Sequence, residues 1–297
     1  NRLGIPEAFW DYIALSWRDH EKNLLGRMDF SYSGSGPAKL LEYNADTPTT
    51  LYETAVFQWE WLEHALDNGL VPQNCDQLND VHESIVEAFS NLGIDGLSHF
   101  ACNQEIEDDK GTLDYLAECA REAGLECRSL DMGDIGVDDL GRFTDLDSRN
   151  IITLVKLYPW EWLMREEFGS YIPTSGVLFI EPPWKSILSN KGLLPLLWGM
   201  FEGHPNLLPS FFEDDSGANT LVDSGNYVRK PLISRQGANV EIVQNGKILF
   251  QSEGPYGEEP HIVQAFESLP EFEGKYPLVG CWMVASKAVG LCIREDN

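Results

Sequence analysis

The feature that most constrains the fold is an alternating stretch near the start of the chain, residues 27–49. Arg27 and Asp29 lie two residues apart in an apolar–polar alternation, which predicts a β-strand. A turn rich in Gly, Ser and Pro follows at 33–37, and a second strand is predicted over 39–44. The sequence therefore predicts a β-hairpin at this point.

One face of the predicted hairpin carries side chains that suit a metal ion. Arg27 and Asp29 share a face of the first strand, and Glu42 and Asn44 share a face of the second, because residues two apart point the same way. Acid and amide oxygens are hard ligands that suit Mg²⁺, and a neighbouring arginine suits a phosphate that the metal also contacts. A charged face that is merely solvated is the alternative, since such faces are common on half-exposed strands.

The net charge of the chain argues against two classes of binding partner. The chain has 48 acidic and 21 basic side chains, and its formal net charge is −27. Binding to nucleic acid or to an anionic membrane requires clustered Lys and Arg, so we expect neither partner. An acidic surface is compatible with a cationic amine substrate and equally with plain solubility.

Cysteine usage and hydropathy indicate a cytoplasmic protein. The six cysteines form no CxxC pair, so zinc-site spacing is absent and reduced thiols are expected. We find no signal peptide and no uninterrupted apolar run near the length of a membrane span.

The pattern along the chain predicts an α/β fold. Apolar periodicity predicts three helices, over 5–25, 49–70 and 76–92, and Asp46 and Thr47 are candidate N-caps of the second of these. A buried strand at 97–103 is followed by an acidic loop, a helix and another strand, which is a crossover unit of the doubly wound kind.

A second region with candidate phosphate-binding residues follows residue 151. The loop 234–239 is rich in small residues and lies between predicted antiparallel strands, so its backbone N–H groups can fold over a triphosphate. It has neither the GxxxxGK[ST] nor the GxGxxG pattern, which sets aside P-loop and Rossmann sites. Lys191, at a predicted helix entrance, can meet a phosphate beside free N–H groups, although a solvated lysine is the alternative.

Several long motifs occur together and in order. RMDF and LLEYNADTPT are followed by KLYPWEW, EPPWKSILSNKGLLPLLW, YVRKPLISRQGANV, IVQAFESLP and a final IRED. This set resembles the glutathionylspermidine synthetase-like family, an ATP-grasp group of acid–amine ligases, and the resemblance covers most of the chain. It implies a stand-alone synthetase, because nothing here resembles the amidase domain of the bifunctional namesake. Family members continue past the last motif, so we expect some residues at the chain ends to be missing.

The resemblance implies an ATP-grasp-like α/β fold with a pre-ATP-grasp α/β region and a permuted order of elements. Residues 1–150 would carry the metal hairpin and the pre-ATP-grasp region, and 151–297 the nucleotide-binding region, in one integrated unit. The metal motif comes early in the chain, which is why we expect the permutation.

The resemblance also implies roles for particular residues with ATP, Mg²⁺ and the substrates. The Mg²⁺ ligands would be Asp29, Glu42 and Asn44. Arg27 would act in catalysis and on the phosphates. The loop 234–239 would be the lid of ATP-grasp enzymes, and the strand that contains Gln264 and Phe266 would be the adenine-binding hinge. The other ATP contacts would be Lys191, Lys230, Gly237 in the lid, Gln264 and Phe266 at the hinge, and Arg294. The substrate contacts would be Thr47, Thr49, Glu161 and Arg235. The hinge strand has an alternative interpretation as an ordinary central strand.

These parts suit one reaction, in which a carboxylate attacks the γ-phosphate of ATP and an amine then attacks the acyl phosphate. We expect a peptide-like acid and an amine as substrates. Two alternatives stay open: an ATP-binding regulator or scaffold without turnover, and a phosphotransferase that stops at the acyl phosphate.

Overall fold

The computed structural model describes residues 2–296 and contains both helices and strands. The helices are α1 (Trp10–Arg18), α2 (Gln58–Asp67), α3 (Val81–Asn91), α4 (Glu107–Glu122), α5 (Trp160–Leu163), α6 (Lys185–Leu188), α7 (Leu193–Met200) and α8 (Ser216–Ser224). The strands are β1 (Leu25–Ser31), β2 (Lys39–Asn44), β3 (Leu97–Cys102), β4 (Glu126–Asp131), β5 (Gly136–Val137), β6 (Phe143–Thr144), β7 (Thr153–Leu157), β8 (Leu178–Ile180), β9 (Ser210–Phe212), β10 (Tyr227–Pro231), β11 (Glu241–Gln244), β12 (Lys247–Gln251), β13 (His261–Ala265), β14 (Tyr276–Val284) and β15 (Lys287–Asp296).

The predicted hairpin is confirmed and forms half of a four-stranded sheet. Strands β1 and β2 pair antiparallel, with Asp29 opposite Glu42 and Arg27 opposite Asn44. The strand order is β15-β14-β1-β2, so the first and last strands of the chain share one sheet. Because cross-strand partners lie close together, this register brings all four side chains to one patch.

The predicted crossover unit is also confirmed. Strands β4, β3, β7 and β8 form a parallel sheet in that order, and α4 connects β3 to β4. Successive side chains of these strands enter two cores, because strand residues alternate between faces. Phe100 and Val155 pack with α3 and α4, whereas Leu154 and Phe179 pack with α5 on the other face.

The third sheet carries the predicted lid. Its order is β12-β11-β10-β13-β9, with antiparallel pairing throughout, and residues 234–239 connect β10 to β11. A small core that includes Leu40, Leu232 and Ile262 joins this sheet to the hairpin. The short strands β5 and β6 form the small hairpin in the connection between β4 and β7.

One local prediction is wrong. Asp46 and Thr47 do not cap the second helix, whose first turns are a π-helical segment, Glu53–Phe57, continuous with α2. Asp46 instead accepts hydrogen bonds from Lys156 Nζ at 2.6 Å and from the Trp160 N–H at 2.8 Å. Once Asp46 is buried, leaving it without Lys156 would cost about 3–5 kcal/mol, which exceeds the roughly 1 kcal/mol that a helix cap contributes.

The division near residue 150 stays a prediction, as does the permuted order relative to other ATP-grasp enzymes. Two of the sheets contain strands from both sides of residue 150. No helix within residues 2–296 combines the length and apolar character that crossing a membrane requires.

Candidate active site

The hairpin places a buried ion pair at the base of a cleft. Arg27 is 2% exposed and Asp29 is fully buried. Arg27 donates from Nε to Asp29 Oδ1 at 2.7 Å and from Nη2 to Oδ2 at 2.9 Å, a bidentate arrangement. The remaining Nη1 of Arg27 donates to the Thr49 carbonyl and to Thr50 Oγ1, which ties the strand to the segment after β2.

Two further side chains converge on the same carboxylate. Asn44 Nδ2 donates to Asp29 Oδ2 at 3.1 Å, and Arg294 Nη2, from the last strand, donates to that oxygen at 2.6 Å. Asn44 also donates to Glu42 Oε1 at 3.3 Å, so the amide bridges both carboxylates. Arg294 Nε is buried without a hydrogen-bond partner within residues 2–296.

Glu42 is held ionised by cations on two sides. Lys191 Nζ lies 3.7 Å from Glu42 Oε2. Burial opposes ionisation of Glu42, but the charges of Lys191 and Lys230 outweigh it and lower its pKa to about 2. The Glu42 carboxylate is therefore ionised at neutral pH.

Lys230 lies behind the cleft wall, between the hairpin and the third sheet. Its Nζ donates to Gln264 Oε1 at 2.8 Å and to the Leu41 carbonyl at 3.1 Å, and the residue is 9% exposed. Burial lowers the pKa of Lys230 to about 8, with Glu42 partly opposing that change. The Gln264 side chain is itself buried and donates to the Leu40 carbonyl, while the Phe266 N–H donates to the Asn226 carbonyl.

The predicted lid, residues 234–239, contacts both sides of the cleft. Lys191 Nζ donates to the Ser234 carbonyl at 3.0 Å, at the first residue of the loop. Arg235 lies 3.8 Å from Asp109 on α4, and its guanidinium lies 5.5 Å from the Trp162 ring. The loop therefore rests against α4 and α5 across the cleft opening.

One end of the cleft is formed by the segment after β2 and by α5. Burial raises the pKa of Glu161, and the nearby Asp46 raises it further. Thr47 and Thr49 line the same space.

Most of the predicted site residues thus meet in one cleft of about 200 Å³. Asp29 lies beneath its surface, Lys230 and Gln264 lie behind it, and Phe266 follows β13 outside its lining. The predicted residues that line the cleft are Arg27, Glu42, Asn44, Thr47, Thr49, Glu161, Lys191, Arg235, Gly237 and Arg294.

The donor set fits a hard divalent cation. Asp29 and Glu42 supply two carboxylates, and the Asn44 amide that bridges them supplies an oxygen when the amide is turned over. Within residues 2–296, no group of three or more His, Cys, Asp or Glu side chains is arranged to hold a metal. A metal at this site would therefore rest on two acids and one amide.

A family model described as glutathionylspermidine synthase preATP-grasp matches residues 1–297. The chain belongs to this family. The resemblance seen in the sequence motifs is therefore confirmed, and the chain is a member of a family of carbon–nitrogen ligases.

Relatives of the chain are similar over nearly all of its length. A Haemophilus influenzae protein named "Putative acid--amine ligase" is 41% identical over 295 residues, covering 96% of this chain and 73% of that protein. Trypanothione synthetase of Crithidia fasciculata is 29% identical over 319 residues, covering 99% of this chain and 48% of that protein. The bifunctional glutathionylspermidine synthetase/amidase of Escherichia coli is 28% identical over 320 residues, covering 99% and 50%. The chain thus spans about half the length of the last two relatives.

A solved structure shares the fold. The structure named "Putative gamma-glutamylcysteine synthetase" from Methylobacillus flagellatus KT has a TM-score of 0.56 and 12% identity to the chain. The match covers 97% of this chain and 78% of that one. At this identity the likeness concerns the mixed α/β architecture alone.

One part of the site in this family member was not found by sequence reasoning. The Asp46–Lys156 pair joins the segment after β2 to β7, and both side chains are at most 3% exposed. A signal was present, because Lys156 interrupts an apolar run that otherwise predicts a buried strand, and a buried lysine requires a partner. The pair holds α5, and with it Glu161, against the cleft.

Proposed function

We propose that this protein is an ATP-dependent acid–amine ligase that forms an amide through an acyl phosphate, from a peptide-like carboxylate and an amine. The supporting observation is one cleft in which oxygen donors of the hairpin face cations from three other segments. Those cations are Lys191 before α7, Arg235 in the lid and Arg294 in the last strand. Such an arrangement suits a triphosphate together with a divalent metal.

The phosphates of ATP would lie between the lid and the hairpin. Lys191 and Arg294 supply charge from the cleft lining, and the backbone N–H groups around Gly237 cover the phosphates from above. Lys230 supplies charge from behind the wall. The adenine is assigned to the end of β13, near Gln264 and Phe266, where the last pairs of the strand with β10 and β9 lie.

Asp29, Glu42 and Asn44 would hold Mg²⁺. When bound, the metal supplies charge neutralisation at the β- and γ-phosphoryl oxygens. The low pKa of Glu42 keeps that ligand ionised without a pH requirement in the neutral range.

The chemistry asks the protein for positioning and charge neutralisation. The substrate carboxylate attacks the γ-phosphorus and ADP leaves; the amine then attacks the acyl carbon and phosphate leaves. Arg27, fixed by Asp29, stabilises negative charge on the transferred phosphoryl group. Thr47, Thr49 and Arg235 are assigned to the acid substrate and Glu161 to the amine, while the lid keeps water from the acyl phosphate.

The test is ADP release from Mg²⁺-ATP with a panel of peptide acids, each with and without amines. We expect release that requires both an acid and an amine, and a loss of about 100-fold or more in Asp29→Asn and Lys230→Met. Exposed Asp95→Asn and Lys247→Met are the matched controls and should retain wild-type rates. Release with acid alone would indicate a phosphotransferase, ATP binding without turnover would indicate a regulator, and full activity of Asp29→Asn would refute the site.

A further inference from the structure

A second cavity opens at the carboxyl edge of the parallel sheet. Its volume is about 500 Å³, and it shares no lining residue with the active-site cleft. Small-molecule sites in proteins are typically about 300–1,000 Å³. The proposed ligase reaction makes no use of this space.

The topology of the sheet favours a ligand at this point. The chain leaves β3 for α4 on one face and leaves β7 for α5 on the other face. Loops that diverge from neighbouring parallel strands leave a crevice beyond the strand ends, which is where open α/β sheets bind ligands. Asn103 and Glu105, after β3, and Tyr158, after β7, line the cavity.

The floor of the cavity is apolar. Leu154 and Phe179 come from the sheet, and Ile172 comes from the segment that follows α5. These three side chains are 1–3% exposed and belong to the core on this face. A hydrocarbon chain laid on this floor would be removed from water.

The rim of the cavity is acidic. Four carboxylates line it, those of Glu105, Asp131, Glu166 and Glu167, and no Lys, Arg or His does. Asp131 accepts the N–H groups of the loops after β3 and β4, and Glu166 accepts the Tyr158 hydroxyl.

Two of these carboxylates are free to receive a ligand. Glu105 and Glu167 are exposed and form no ion pair within residues 2–296. They lie on different connections, one after β3 and one after α5, and both line the cavity.

We infer that this cavity binds a primary alkylamine, with its hydrocarbon chain on the Leu154–Phe179 floor and its ammonium group at Glu105 and Glu167. Charge complementarity selects the class, because an anion would meet four carboxylates and no compensating cation. The helix α5 separates the two sites, since Glu161 faces the active-site cleft and Leu163 faces this cavity. An amine held here is therefore bound apart from the reacting groups.

The test is isothermal titration calorimetry of the full chain without ATP, using hexylamine, hexan-1-ol and hexanoate as probes. These share a six-carbon chain and differ in the charge of the end group. We expect hexylamine to bind more tightly than the alcohol, and hexanoate to bind least. The double variant Glu105→Gln/Glu167→Gln should weaken hexylamine binding about tenfold or more, because it removes both free carboxylates.

Matched controls separate this site from nonspecific attraction and from the cleft. Glu118→Gln/Glu126→Gln removes two exposed carboxylates elsewhere on α4 and β4 and should leave binding unchanged. Met132→Trp fills the cavity and should abolish binding. The inference is overturned if hexylamine does not bind, if the rim variant binds like the control variant, or if Glu161→Gln abolishes binding while the rim variant does not.

Discussion

Replacing Lys156 by methionine tests the buried pair that supports the active-site cleft. The Lys156 ammonium lies 2.6 Å from Asp46 Oδ1, donates to the Tyr158 carbonyl at 2.9 Å and lies 4.6 Å from the Trp160 ring. The methionine fills most of the same volume, so the change removes the charge while leaving little cavity. Asp46 is then left buried, with the Trp160 N–H as its remaining donor.

The expected cost follows from the geometry. At 2.6 Å and an effective dielectric constant of about 20, the attraction between the two charges is about 6 kcal/mol before desolvation is subtracted. Removing one partner of a buried pair costs about 3–5 kcal/mol, because the other charge stays uncompensated. We therefore expect Lys156→Met to lower the free energy of unfolding by about 3–5 kcal/mol at pH 7.

Urea unfolding of the wild type, the two single variants and the double variant isolates the Asp46–Lys156 interaction. The double variant Asp46→Asn/Lys156→Met contains no buried charge at this point, so it should lose clearly less than the sum of the two single variants. Exposed Lys247→Met is the control and should change stability by less than about 0.5 kcal/mol. Additive single variants, or a loss below about 1 kcal/mol in Lys156→Met, would refute the role assigned to the pair.

Two further predictions concern the wall of the cleft. Because burial lowers the pKa of Lys230 to about 8 from its ordinary 10.5, the unfolded chain binds more protons between these values. The free energy of unfolding should then rise from pH 8 to 10.5 by up to about 3 kcal/mol relative to Lys230→Met; parallel pH profiles would contradict this. In Gly280→Ala, the added methyl would lie 2.5 Å from Cys292 Sγ and 2.9 Å from Arg27 Cδ. Thermal unfolding should therefore show a free energy of unfolding that is lower by about 1–3 kcal/mol, and the rate of ADP release should fall. Gly199→Ala, with open space around the new methyl, should not destabilise; an unchanged Gly280→Ala protein would show that Arg27 is free to shift.

The hairpin could be predicted because its information is local. Alternation with a period of two places Arg27 and Asp29 on one face. A turn of small residues shows that this strand pairs with the strand that follows it in the chain. The structure adds the register, in which Asp29 faces Glu42. The parallel crossover was predictable for the same reason, since β3, α4 and β4 are consecutive in the chain.

Contacts between distant segments were not predictable from the residue pattern. The pairing of β1 with β14 joins residues about 250 positions apart, and nothing in either strand specifies the other. The same holds for Arg294 on Asp29, which only the family resemblance brought near the phosphates. The helix-cap prediction for Asp46 is wrong because the local pattern fits a cap, whereas the partner of Asp46, Lys156, lies 110 residues away.

The net charge of the chain and the charge of its cleft act over different distances. Exposed charges are screened beyond about 8 Å at physiological ionic strength, so a ligand inside the cleft feels mainly the groups that line it. Those include Arg27, Lys191, Arg235 and Arg294, which outnumber the acids Glu42, Asp46 and Glu161 in the same lining. A nucleic acid would have to lie across the acidic surface of the protein, whereas a triphosphate is small enough to contact only the residues that line the cleft. The charge of −27 therefore argues against a polyanionic polymer and is compatible with ATP.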